Sequence, residues 1–121
     1  MKLSLETRNR GEVMIVHCQG RIVYRDEVAA LSRLAGEVLE NSGKVILDLS
    51  GVSSIDSAGI GELALLQTWA QSRNTDLKFA SPSPLVSELL DLTNLDSVLD
   101  IYPSLSEALV AFEYGELCAD C

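Results

Sequence analysis

Residues 3–7 and 13–19 alternate apolar and polar side chains, the period of a half-buried β-strand. Asn9-Arg10-Gly11-Glu12 between them is a turn cluster, so the pattern predicts a hairpin. After Gly20 the period lengthens. Val28, Leu31, Ala35, Val38 and Leu39 form one helical stripe, with Asp26 available as a cap and Asn41-Ser42-Gly43 as the stop. Lys44-Val45-Ile46-Leu47-Asp48-Leu49 is short, rich in β-branched residues and mostly apolar, which suits a strand buried within a sheet. Residues 50–55 read as a loop. A second helix is expected from Asp56 to about Arg73, then a strand at Leu77-Lys78-Phe79-Ala80. Ser83 as cap with Pro84 at the first helical position opens a third helix reaching about Leu92. A last short strand is predicted at 98–102. Ser104-Leu105-Ser106-Glu107 is a capping box, and Leu105, Ala108, Leu109 and Phe112 give the final helix its apolar face.

Strands joined through helices run parallel, whereas a hairpin is antiparallel. The expected fold is therefore an α/β single domain with a mixed β-sheet of about five strands, packed with about four α-helices. Residues 1–113 form the domain, and residues 114–121 read as a short C-terminal tail.

Length, charge and cysteines narrow the function. A chain of 121 residues supports one core. Acidic residues outnumber basic ones by 18 to 9, and a net charge of -9 is the wrong sign for direct nucleic acid binding. The start of the chain lacks the apolar stretch of a secretory signal, and no run approaches the length of a membrane span. A cytoplasmic protein without membrane insertion is expected. Three cysteines do not describe a disulfide framework.

The informative segment joins the buried strand to the second helix: Asp48-Leu49-Ser50-Gly51-Val52-Ser53-Ser54-Ile55-Asp56-Ser57-Ala58-Gly59-Ile60-Gly61-Glu62-Leu63. It places Ser57 at or beside a helix N-terminus, where unpaired N–H groups and the macrodipole favour an anionic group. Capping by Ser57 or Asp56 is the simpler use of that position. At 100° per residue, Leu63, Leu66 and Ala70 share one face of the helix. Leu65 and Trp69 share another, with Glu62 and Arg73 between.

With the strand Val45-Ile46-Leu47-Asp48-Leu49-Ser50 ahead of it, the run Asp56-Ser57-Ala58-Gly59-Ile60-Gly61 resembles the signature of the STAS domain family, in particular the single-domain bacterial anti-sigma factor antagonists (anti-anti-sigma factors). The resemblance covers nearly the whole chain. It implies a regulatory, non-enzymatic protein that binds an anti-sigma factor serine kinase and frees a sigma factor, a partner switch in transcription regulation. It further implies phosphorylation of Ser57 by that kinase and resetting by a phosphatase. Asp56, Ser57, Ala58, Gly59, Ile60, Gly61 and Glu62 then form the partner-binding segment, extended by Leu65 and Trp69. Gly59 and Gly61 would let a partner's backbone approach closely. Where many relatives carry an aspartate after the second strand's glycine, this chain has Val23. The alternative is a STAS subunit of a larger assembly, such as a membrane lipid-transport complex or a stress-signalling scaffold.

Other signals lead nowhere further. Gly59-Ile60-Gly61-Glu62-Leu63-Ala64 matches the spacing of a dinucleotide fingerprint, but a loop is expected ahead of it and the acidic residue after the next strand is missing. The chain's single histidine, His17, lies in an early strand opposite Cys18, and no nucleophile elbow surrounds Ser57. Cys118-Ala119-Asp120-Cys121 lacks the strand-to-helix setting of a redox motif. No cofactor, metal or catalytic residue is expected.

Overall fold

The computed structural model describes residues 3–118, with side chains for 3–113. Its elements are β1 (Ser4–Arg10), β2 (Val13–Ile22), α1 (Asp26–Asn41), β3 (Lys44–Ile55), α2 (Ser57–Ser72), β4 (Asp76–Ala80), α3 (Pro84–Leu92), a 3-10 turn (Leu95–Ser97), β5 (Ile101–Tyr102) and α4 (Leu105–Cys118). The strands form one five-stranded sheet in the order β1-β2-β3-β4-β5. Only the opening hairpin is antiparallel. The mixed sheet and four helices are those expected from the sequence.

Alternation along the strands divides the core. Val16, Val45, Leu47 and Phe79 face a large cluster with Leu31 of α1, Leu63 and Leu66 of α2, and Val86 and Leu90 of α3. Val13, Ile15, Ile46 and Ala80 face the opposite way, under Ala108 and Phe112 of α4. Three helices therefore cover one face of the sheet and one helix covers part of the other.

Local chemistry accounts for most boundaries. Gly11, at φ +62°, makes the hairpin turn. Ser83 accepts the Val86 N–H at 3.4 Å with Pro84 behind it. The Ser104 hydroxyl accepts the Glu107 N–H at 3.1 Å, as the capping box requires.

Several boundaries differ from the sequence reading: the last strand is only Ile101–Tyr102, shorter than the expected 98–102, and β1 runs on to Arg10, into the expected turn. Residues 50–55 are strand, not loop: two register shifts against β2 insert extra residues into β3, which breaks the alternation that would have revealed it. Asp26 does not cap α1. Arg25 occupies that position at φ +79° and no side chain caps the helix. The final helix runs on to Cys118, into the segment expected as a tail, while Ala119, Asp120 and Cys121, and with them the C-x-x-C pairing, lie outside the described residues.

Beneath α4, β4 carries a buried cation. Lys78 Nζ donates to Asp100 Oδ2 at 2.7 Å, approaches Asp76 at 3.6 Å, and lies 4.7 Å from the centroid of Phe112. Burial pulls its pKa down, but the bond to Asp100 and the charge of Asp76 outweigh that and hold it above the ordinary value. Lys78→Ala should cost about 2–4 kcal/mol in chemical denaturation, because it opens a cavity under Phe112 and unpairs Asp100. Lys78→Met, which keeps the stem, should recover part of that loss.

Candidate functional site

The start of α2 is built by Asp56, which takes the N-cap position with extended backbone. Its Oδ1 accepts the Gly59 N–H at 2.9 Å, and its Oδ2 accepts the Tyr24 N–H, also at 2.9 Å. One carboxylate thus ties the β2–α1 loop to the first turn of α2. These two bonds, that of Gly59 foremost, hold its pKa below the ordinary carboxyl value. Stability contributed by Asp56 is present above that ordinary value and is lost as pH falls through the lowered one.

Because Asp56 caps, Ser57 does not need to. Ser57 is the first helical residue, exposed, and its hydroxyl bonds to no other described residue. It lies where the helix's own N–H groups and dipole favour added negative charge.

Not every residue of the predicted segment faces outward. Gly59 is buried against the end of β2, where an added Cβ would fall on the Ile22 carbonyl oxygen and 2.6 Å from Ile55 Cγ1. Its missing side chain admits a strand of its own chain, not a partner. Gly61, by contrast, is exposed with nothing within 4 Å of a Cβ. Ile60 belongs to the core. Glu62 is buried and hydrogen-bonded to Ser32 of α1. Trp69 is half-buried, its ring packed over Gly36 of α1, with the Arg73 guanidinium 5.4 Å from the ring centroid. Leu65 is 65% exposed, and Ala58 is half-buried.

Ser57, Gly61, Leu65, Thr68 and Ser72 are exposed at helical spacing and form the outer stripe of α2. None of them is charged. The only ionisable group within α2 is the buried Glu62. Beside the helix start, Tyr24 is 65% exposed, with Arg25 stacked on it at 5.5 Å. Sequence reasoning missed this neighbour because an aromatic and an arginine between a strand and a helix carry no pattern of their own.

Burial raises the Glu62 pKa above its ordinary 4.5, against a smaller opposing effect from the Ser32 hydroxyl. The folded state then holds this proton more tightly than the unfolded chain does. Stability should fall as pH rises through the window just above 4.5. Glu62→Gln, which keeps a partner for Ser32, should be at least as stable as wild type at pH 7 and show a flatter pH profile across that window, measured by urea denaturation.

The STAS domain family profile matches residues 4–108. The chain belongs to the STAS domain family. An anti-sigma factor antagonist from Mycobacterium paratuberculosis, known by crystal structure, superposes with a TM-score of 0.81 at 26% identity, covering 91% of this chain and 93% of that one. The unphosphorylated form of the anti-sigma factor antagonist SpoIIAA shares the fold, with a TM-score of 0.73 at 14% identity over 93% of this chain and 97% of that one. A Thermotoga neapolitana protein, provisionally named an anti-sigma factor antagonist, is 38% identical over 66 residues, 54% of this STAS chain. That match spans 58% of the Thermotoga protein's length. No helix among the described residues is long and apolar enough to cross a membrane.

Proposed function

We propose that this STAS domain is an anti-sigma factor antagonist. It binds an anti-sigma factor that is also a serine kinase, and so frees a sigma factor. Phosphorylation of Ser57 by that kinase ends the complex, and a phosphatase restores the binding form. The protein is a binding switch and performs no catalysis itself.

The observation that carries this reading is the division of labour at the start of α2. Asp56 holds the helix, leaving an exposed serine hydroxyl with no structural duty. Phosphate on that oxygen adds about −1.5 to −2 charges at pH 7. The helix N-terminus accommodates the new charge locally, so the fold survives and the effect falls on whatever docks there. It falls on an uncharged stripe, where a close partner would have to desolvate a dianion. The neutral hydroxyl form is therefore the binding state, with Ser57, Gly61 and Leu65 at the contact, Ala58 beside them, and Asp56 positioning them.

The resemblance in name to antagonists of Mycobacterium and Thermotoga supports the class of partner. The test is to incubate the protein with candidate anti-sigma kinases and ATP and to map phosphate by mass spectrometry. Modification of Ser57, lost in Ser57→Ala, supports the proposal. Phosphate on another residue alone, or none with any kinase that binds the protein, contradicts the switch.

A further inference from the structure

A second polar site lies on the face of the sheet that α4 leaves partly bare. A helix about 10 Å wide covers two or three strands spaced about 4.8 Å apart, so one helix cannot cover five. The uncovered part, toward β1 and β2, is a groove of about 450 Å³. That size is within the range of small-molecule sites.

Strand register sets what lines it. Glu6, His17 and Asp48 are successive partners across β1, β2 and β3, and Arg8 stands beside Ile15 in the next row. His17 Nδ1 and Asp48 Oδ2 are 2.7 Å apart, and the Ser50 N–H donates to Asp48 Oδ1 at 3.0 Å. Both carboxylate oxygens are engaged, and the Asp48 side chain is only 10% exposed. The ring is held by one nitrogen. Nδ1 is held by the carboxylate, and Nε2 has no partner among the described residues.

One and two rows away along β1, Arg8 and Arg10 bring cationic chemistry over an apolar floor. Arg8 makes only a 3.8 Å contact with Glu6 at the surface, and Arg10 makes no ion pair among the described residues. Ile15 and Leu105 supply the floor. Two residues along a strand span roughly 6.6 Å, which sets the separation between the histidine row and the Arg8 row.

We infer that this groove binds a small hydroxy acid, its hydroxyl hydrogen-bonded to the unpartnered His17 Nε2, its apolar body lying over Ile15 and Leu105, and its carboxylate reaching Arg8 and Arg10. The site is separate from Ser57 and does not depend on the proposed switch. A positioned imidazole nitrogen and guanidinium donors in one groove are complementary to a ligand carrying a hydroxyl at one end and an anion at the other.

The chain's single histidine makes the test direct. The His17 ring signals would be followed by NMR while 4-hydroxybenzoate is added to the intact protein, with benzoate and phenol as probes lacking one group each. Saturable shifts are expected with 4-hydroxybenzoate, and binding at least tenfold weaker with either fragment. Arg10→Gln, an exposed change that leaves the core intact, should weaken binding at least fivefold, and His17→Gln should do the same, read from the Arg8 side-chain signals. Ser57→Asp should leave it unchanged. No saturable shift up to millimolar probe, or equal binding of all three compounds, would overturn the site without touching the reading of Ser57.

Discussion

Gly59→Ala should lose about 2–4 kcal/mol of folding stability, at or above the upper end of ordinary overpacking, while Gly61→Ala, two residues along the same helix, should lose none. A methyl at Gly59 lands on the Ile22 carbonyl oxygen, between Ile55 Cγ1 at 2.6 Å and Ile22 Cγ2 at 2.9 Å. That carbonyl also accepts the Asp56 N–H, so it cannot retreat without loosening the residue that caps α2. At Gly61 nothing stands within 4 Å, and alanine is the better helix former by about 0.8–1 kcal/mol. Urea denaturation of the two variants separates these outcomes. Equal stabilities would mean that the helix start is not seated on β2 as described. Gly61→Ala serves a second purpose: it adds a methyl to the outer stripe of α2 in a protein at least as stable as wild type, so any loss of partner affinity reports contact there.

Much of this architecture was legible because it is written in local periods. The hairpin, the buried strand, Ser83-Pro84 and the capping box each follow from a few neighbouring side chains. So does the placing of Ser57 at a helix start. What escaped was set between elements. Bulges in β3 replace alternation with Ser50-Gly51-Val52-Ser53, which looks like a loop when the partner strand is unknown. Gly59 resembles a docking glycine until the end of β2 is placed against it. A helical wheel grouped Leu65 with Trp69, but it cannot know that Gly36 of α1 opens a notch for the indole. Glu62 falls in the segment that the resemblance gives to a partner, whereas α1 buries it. His17 and Asp48 are 31 residues apart, and only the parallel pairing of β2 with β3 makes them neighbours.

The second large effect belongs to Ser57 itself. Because Asp56 supplies the cap and the Ser57 hydroxyl bonds to no described residue, Ser57→Ala should change folding stability by no more than about 0.5 kcal/mol. Ser57→Asp should also fold, since an acidic side chain in the first turn suits the helix dipole. Neither variant then confuses folding with binding. In the proposed complex the aspartate would put a charge into the uncharged outer stripe of α2, and a desolvated charge without a partner there costs several kcal/mol. A loss of about 2.7 kcal/mol corresponds to roughly a hundredfold in Kd.

The decisive measurement is the Kd of the proposed anti-sigma kinase partner for wild type, Ser57→Ala and Ser57→Asp by calorimetry, without ATP. Wild type and Ser57→Ala should agree within about threefold, and Ser57→Asp should bind at least about a hundredfold more weakly. If Ser57→Asp binds as tightly as wild type, negative charge at the head of α2 does not govern the complex, and the proposed control is wrong.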